Sequence, residues 1–391
     1  MFERQKKYRT QVHGDLASIG RAAWNALVAA DGEASPFVEF DYLHALAASG
    51  CTNEHTGWTP SHLTLWREQH LVAAAPLYIK DHSYGEYVFD WGWAEAAQRA
   101  GIAYYPKLLS AVPFTPVGST RLIAADDEAR AELARALLAH ARASRTSSLH
   151  VLFAPPPQIA LLAAGGMLRR HGVQFHWTDR GFANFDDFLA ALAQPKRKKI
   201  RAERRKVRDA GVALERKVGR EITESDWSFF HSCYQTTYAA HWSTPYLNLD
   251  FFLRLADAMP ERLLLVLARR AGRPIAASMG VFDIERGYLY GRYWGAIEHV
   301  PCLHFEACYY QMIAFAIERG LRVFEGGAQG AHKMARGFDP VPTLSAHWLA
   351  DPRLHSAVAR FLEREAVGIA GAIDELQEHR AFRSHVAIAI E

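Results

Sequence analysis

The sequence predicts an α/β chain with a mixed sheet (α+β in its strand order), built from one unit written twice. Two observations carry this. Strand-like and helix-like runs alternate along 391 residues, a length that suits two domains better than one core. Three segments of the first half also recur, in order, in the second.

The first recurrence pairs VAAAPLYIKDHSYGEYVFDWG (72–92) with IAASMGVFDIERGYLYGRYWG (275–295) at a constant offset of 203. Val72, Ala73 and Ala74 fall on Ile275, Ala276 and Ala277, and Tyr87, Trp91 and Gly92 on Tyr290, Trp294 and Gly295. The second pairs LHVLFAP (149–155) with LRVFEGG (321–327) at offset 172, and the third sets His176–Trp177 on His347–Trp348 at 171. The drop in offset places about 31 extra residues between 92 and 149, in a stretch that contains AGIAYYPKLLSAVPFTPVG. Such an insertion either shapes specificity or packs its own aromatics at the surface.

Each unit opens on a hairpin. HLTLW and LVAAAPLYIK flank the turn-like REQH, and RLLLVLAR and RPIAASMGVFD flank Ala271–Gly272. A strand ending in Trp-Gly is expected after each. In the second half LHFEACYYQMIAFAIERG follows, with Phe305, Cys308, Tyr309, Met312 and Ala316 at helical spacing and Gly320 as its stop. The strand LRVFE begins at once. In the first half ARAELARALLAHARA is the helix and SLHVLFA the strand. A strand–helix–strand crossover makes the two strands parallel. The expected domains are 1–178 and 179–391, the second beginning with a basic helix.

Composition narrows the class. Half the residues are apolar and 22% are charged, ordinary for a globular enzyme. No run reaches the roughly 18 apolar residues that span a bilayer. MFERQKKYRT is basic with no apolar run after it, so no secretory leader is expected and the cytoplasm is the expected compartment. Cys51, Cys233, Cys302 and Cys308 form no C-x-x-C pair, and the histidines show no metal-ligand spacing, so neither a disulfide framework nor a metal is expected. Net charge is +3, but residues 196–220 hold 12 Lys/Arg against 3 Asp/Glu. PKRKKIRAERRKVRDAG reads as a helix running from Pro195 to a stop at Gly211, with a thin apolar seam of Ile200 and Val207. Lys198, Lys199, Arg201, Arg204 and Arg205 are its candidate contacts to an anion or to RNA phosphate, against a solvated helix edge as the bland alternative. No base-reading motif accompanies them, so sequence-specific DNA binding is not expected.

GGAQGAHKMARGF (326–338) follows a buried strand. Gly326, Gly327 and Gly330 allow close backbone approach, and Lys333 and Arg336 add positive charge, which makes an anion site without Walker spacing. Gln329 in the same loop, and Tyr293 and Trp294 at the end of the preceding strand, are further candidates for contacting substrate. HSCYQTTYAAHWSTPYLN (231–248) suits a substrate pocket and a core edge equally.

Antiparallel strands, a central helix after the fourth, then a parallel fifth strand resemble the GNAT acyltransferases, and the tandem arrangement resembles the Fem peptidoglycan aminoacyltransferases. TGWTPSHL (56–63), YIKDHSYGEYVFDW (78–91), YYPKL (104–108), AVPFTP (111–116), FEACYYQ (305–311) and FEGGAQGAHKMARGFDP (324–340) resemble the FemAB-like family of predicted bacterial N-acyltransferases over most of the chain. The resemblance implies a tandem duplicated GNAT-like fold and transfer of an acyl or aminoacyl group to an amine. The acceptor is then an amine-bearing small molecule, peptide or cell-wall precursor. No cofactor is permanently bound, and the donor, aminoacyl-tRNA or acyl-CoA, is a co-substrate. GAIEHVPCLHFE lacks the Gly-rich turn that holds acetyl-CoA pyrophosphate, and so does GWAEAAQRAG. The ends of the central helix and fifth strand face the GNAT cleft, which makes Glu306 the first candidate for the base, with Glu325 and His332 behind it. The Fem resemblance puts Lys333 near the reacting carbonyl. A thioester-dependent enzyme and a non-catalytic binder of peptide, cell-wall precursor or RNA are the alternatives.

Overall fold

A computed structural model describes residues 7–240, 243–327, 330–378 and 381–382. The chain divides into two compact units, 1–172 with 342–370, and 173–341 with 371–391. The strands, in chain order, are β1 (Arg9–His13), β2 (Trp58–Pro60), β3 (His62–Arg67), β4 (His70–Ala75), β5 (Tyr78–Lys80), β6 (Lys107–Ser110), β7 (Ile123–Ala124), β8 (Ser148–Leu152), β9 (Leu168–Thr178), β10 (Val212–Val218), β11 (Leu263–Arg270), β12 (Arg273–Asp283), β13 (Tyr288–Ala296), β14 (Val323–Glu325) and β15 (Asp339–Leu349).

In the second unit β10, β11, β12 and β13 follow one another antiparallel. The β11–β12 turn uses Ala271 and Gly272 at φ 49° and 78°, the two left-handed residues of a tight hairpin. The central helix, 303–318, contains a π-helical turn at Glu306–Tyr310 and stops at Gly320 with φ 65°. It returns the chain to β14, which pairs parallel with β13. The carboxyl end of β9 then pairs antiparallel with β14. The apolar seam of the helix packs as expected: Tyr309, Met312, Ile313 and Ala316 join Val266, Phe282, Leu289 and Phe324 in one buried core.

The first unit repeats the pattern on different residues. β6 and β8 are its parallel pair, and β15 flanks β8 antiparallel as β9 flanks β14. His347–Trp348 and His176–Trp177 therefore occupy equivalent strands, as their offset predicts. The helix Asp127–Ala143 leads to β8, in the place expected.

The structure departs from these expectations in four places. The strand ending in Trp91–Gly92 does not form; Trp91 opens the helix Trp91–Arg99 instead. Buried Lys107 draws Glu86 and Asp90 onto its ammonium at 2.9 and 2.6 Å, which pins residues 86–90 as a loop. The strand beside β8 comes from the stretch read as an insertion, where β6 is buried along its whole length. The β3–β4 hairpin forms, but Pro76 separates β4 from β5, because proline cannot donate to a ladder. β3 and β4 then pair with β1 and β7 as a separate small sheet. The linear division at 178 also differs from the compact units, since 342–370 belongs with the first unit and 371–391 with the second.

Candidate functional site

The second unit opens where β13 and β14 part. They pair for three residues only, Tyr288–Tyr290 with Val323–Glu325. Beyond them β13 stays with β12 through a bulge. Gly291 faces Gly280 and Trp294 faces Ser278, so Arg292 and Tyr293 stand against Met279 alone. A bulge bends its strand and raises the local twist, which turns β13 away. On the other side β14 ends at Glu325 and passes into Gly326 and Gly327, the latter at φ 80°. Neither Gly291 nor Gly326 has room for a side chain. A Cβ on Gly291 meets the Phe324 ring at 2.9 Å, and one on Gly326 meets the Phe338 ring at 2.8 Å.

The gap is a cavity of about 80 Å³. Its walls include Ser278 of β12, Arg292, Tyr293 and Trp294 of β13, His304, Cys308 and Tyr309 of the central helix, and Gly326. Burial drives the Cys308 thiol pKa far up, so it is no nucleophile, and holds His304 down at about 4, neutral.

Charge is concentrated beside this gap. Lys333 is 3% exposed and donates from Nζ to the Gly327 carbonyl at 2.9 Å. Burial, then the Arg292 guanidinium, lowers its pKa to about 8, against the pull of Glu325. Arg292 and Glu325 form a buried ion pair at 2.6 Å, with His176 4.0 Å from the same carboxylate. Glu325 is thus held as a counter-ion. His332 is exposed, and its Nε2 lies 3.1 Å from the Tyr309 hydroxyl. Partial desolvation of the ring, followed by Arg336, Lys333 and Lys199, lowers its pKa.

This is a parallel strand pair splayed over a central helix, in a chain that carries the pattern twice. A model of the FemAB-like family, described as peptidoglycan biosynthesis/recognition, matches residues 15–384. The chain belongs to the FemAB-like family. Its fold is similar to that of FemX, with TM-score 0.54 and 12% identity over 90% of this chain and all of that one. It is also similar to the C-terminal domain (DUF2156) of a putative lysylphosphatidylglycerol synthetase from Agrobacterium fabrum, with TM-score 0.56 and 10% identity over 90% and 97%. No curated protein matches it in sequence. Family and fold together place it among the FemAB-like proteins of peptidoglycan biosynthesis or recognition. Among the described residues no helix is long and apolar enough to cross a membrane.

The FemAB-like chain keeps some of its sequence-derived candidates at the gap and holds others elsewhere. Tyr293, Trp294 and Gly326 line the gap, and Gly327 and Lys333 adjoin it. Gly330, at φ 113°, precedes the short helix Ala331–Arg336 and lies against the His332 ring. Gln329 lies outside the described residues. Arg336 is buried away from the gap, bonded to Glu203 at 2.8 Å and to the Tyr310 hydroxyl at 3.0 Å, with its guanidinium 3.5 Å from the centre of the Phe305 ring. Glu306 is buried as well, but on the other face of the central helix. It accepts from Arg204 at 3.1 Å and from Gln311 at 2.8 Å, and it lines a separate cavity of about 550 Å³ with Arg201, Arg204 and Arg205. Lys198 and Lys199 are exposed on the same helix.

Arg292 and Tyr309 escaped the sequence reading. Arg292 carries no motif, and its importance comes from a bulge that a sequence does not display. Tyr309 was visible only as one apolar position of a helical stripe.

Proposed function

We propose that the gap between β13 and β14 is where the acyl group changes hands, from an ester or thioester donor to the amine of a peptidoglycan precursor or related peptide. The observation that carries this reading is the buried Lys333 ammonium beside the gap. A cation held in a dry, preorganised site steadies the negative charge that builds on the carbonyl oxygen in the tetrahedral intermediate. The Arg292–Glu325 pair beside it adds a neutral, fixed dipole.

The amine nitrogen attacks the donor carbonyl carbon, and the new C–N bond forms as the C–O or C–S bond breaks. Tyr309, whose hydroxyl already hydrogen-bonds His332, relays the amine proton to Nε2 and returns it to the leaving group. Burial raises the tyrosine pKa far above neutrality, so the hydroxyl serves as a relay and the imidazole as the base. Glu306, bound to Arg204 and Gln311, takes no part in proton transfer in this scheme.

An aminoacyl ester is the favoured donor. The segment leading into the central helix has no glycine from 296 to 302, contains Pro301, and enters the helix through Cys302 at φ 68°. That segment cannot offer the row of backbone N–H groups that cradles pyrophosphate. The test is incubation with charged tRNA, an acyl-CoA panel and precursor-containing cell extract, with mass spectrometry of the products. Acyl transfer to an amine from any donor supports the reading. Binding of a precursor with no transfer from any donor favours the non-catalytic alternative and sinks it.

A further inference from the structure

A second, larger cavity lies on the opposite side of the central helix. It is formed by the basic helix Gln194–Asp209, the helix Phe185–Ala191, β10 and the central helix, and measures about 550 Å³. Arg201, Arg204, Arg205 and Arg208 line it, against Asp186 and Glu306, leaving two positive charges in excess. Their spacing, i, i+3, i+4 and i+7, stacks four guanidinium groups along one helix stripe. Each like-charged neighbour there costs a helix about 0.2–0.5 kcal/mol. The helix bears this although its own seam is thin: Ile200, Glu203 and Val207 are its buried positions. Arg201 and Arg205 are exposed and have no carboxylate partner among the described residues. Arg208 reaches only Asp209, at 3.9 Å on the surface.

Arg204 differs from the other three. Its Nε donates to Glu306, which is 4% exposed, and its guanidinium lies 4.5 Å from the centre of the Phe185 ring. A planar cation stacked on an aromatic face and bonded to one carboxylate keeps further N–H donors available for a second oxyanion.

We infer that this cavity binds a pair of neighbouring phosphates, such as a pyrophosphate or successive phosphodiesters, with Glu306 as the resident counter-charge that the ligand displaces from Arg204. The inference rests on the reading of a phosphate-bearing acyl donor in one respect only: it assigns that ligand to the donor. Two excess charges match a dianionic pair, and guanidinium forks match phosphate oxygens in geometry. The position fits as well. Cys308 and Tyr309 of the central helix face the reaction gap, while Glu306 and Gln311 face this cavity. Anchor and gap thus lie about one helix diameter apart, roughly 10 Å. The helix entry lacks a phosphate cradle, and this cavity supplies one elsewhere.

Calorimetry of the full chain with inorganic pyrophosphate is the direct test, followed by competition with coenzyme A and with uncharged tRNA. Pyrophosphate should bind, and R201Q/R205Q should weaken it by about 100-fold, roughly tenfold per lost charged contact. K198Q/K199Q removes equal charge from residues that do not line the cavity and should change affinity by no more than about threefold, a screened surface effect. E306Q should tighten binding, because Arg204 is released. Displacement of pyrophosphate by coenzyme A or by tRNA supports the site and names the source of the phosphates. Absent pyrophosphate binding overturns it. So do equal losses in the two double variants, failure of both competitors, or unchanged or weaker affinity in E306Q. Binding is read without acyl transfer, so a chain that binds pyrophosphate yet transfers nothing refutes the function and leaves this site standing.

Discussion

Replacing Lys333 by methionine separates catalysis from stability. The side chain is nearly isosteric along its stem and loses only the ammonium. In the fold that ammonium titrates at about 8 instead of 10.5. At about 1.4 kcal/mol per unit, holding it charged in place costs on the order of 3 kcal/mol. The methionine relieves this cost and forfeits the bond to the Gly327 carbonyl, worth about 1–3 kcal/mol once that group is left unpaired. The two nearly cancel, so K333M should be as stable as the parent, or more stable by up to about 2 kcal/mol. Turnover should fall by about 10²–10³, the scale of one lost oxyanion donor. The pH dependence carries a second signature. Between pH 8 and 10.5 the unfolded parent binds more protons at this lysine than the folded one, so parent stability rises across that window relative to K333M. Parent activity should decline as pH rises through about 8, where the cation is lost, and the residual activity of K333M should not share that limb. Turnover would be measured by mass spectrometry of the acylated amine, and stability by denaturant unfolding. A folded K333M with parental turnover refutes the electrostatic role, and one destabilised by several kcal/mol shows the lysine to be structural.

The remaining predictions concern neighbouring groups. Y309F and H332A should each lower turnover about 10²-fold with the fold intact, as expected for a proton relay and its base, and thermal melts alongside rates will show whether either loss is only unfolding. E325Q should cost about 3–5 kcal/mol in denaturant unfolding, because it removes the carboxylate of a buried ion pair and leaves the Arg292 charge in place; a loss below about 1 kcal/mol would show the pair to be dispensable. In the first unit, burial lifts the Glu86 carboxyl to about 7 from 4.5. The folded state therefore binds the extra proton, stability falls as pH rises from 4.5 to 7, and E86Q should remove that decline.

Local signals carried much of the fold. The β3–β4 and β11–β12 hairpins, the basic helix and the central helix with its Gly320 stop all lie where periodicity and turn residues put them. The failures share one cause, which is tertiary override of a local match. GEYVFDWG (85–92) aligns with YLYGRYWG (288–295) without a gap, yet Glu86 and Asp90 are captured by Lys107, and the strand role passes to LLS of β6. In the site, the glycine loop and Lys333 were legible because glycine spacing and an adjacent cation carry meaning in one dimension. Glu306, the first candidate for the base, is bonded to Arg204, a partner 102 residues away that the local sequence does not display. A helix-terminal carboxylate looks the same in sequence whether it faces a gap or an arginine.

The two copies also differ in the residues just past their parallel pairs, which bears on which copy works. In the second unit Tyr290 pairs with Glu325, and the next residues are Gly291 and Gly326. Each lacks a Cβ where an aromatic ring would meet it, so the strands can part around a space. In the first unit Ser110 pairs with Val151, and the next residues are Ala111 and Leu152, with Val112, Phe114 and Phe153 after them. All five are buried apolar side chains, between 1% and 7% exposed. Where the second unit sets Lys333, Arg292 and Glu325 beside its gap, the first unit closes its Lys107, Glu86 and Asp90 into a neutralising cluster. A lysine bonded to the Asp90 carboxylate at 2.6 Å, with the Glu86 carboxyl at 2.9 Å, has little field left to offer a developing oxyanion. The same scaffold is thus packed as a core in one copy and left open in the other, which supports assigning the chemistry to the second unit.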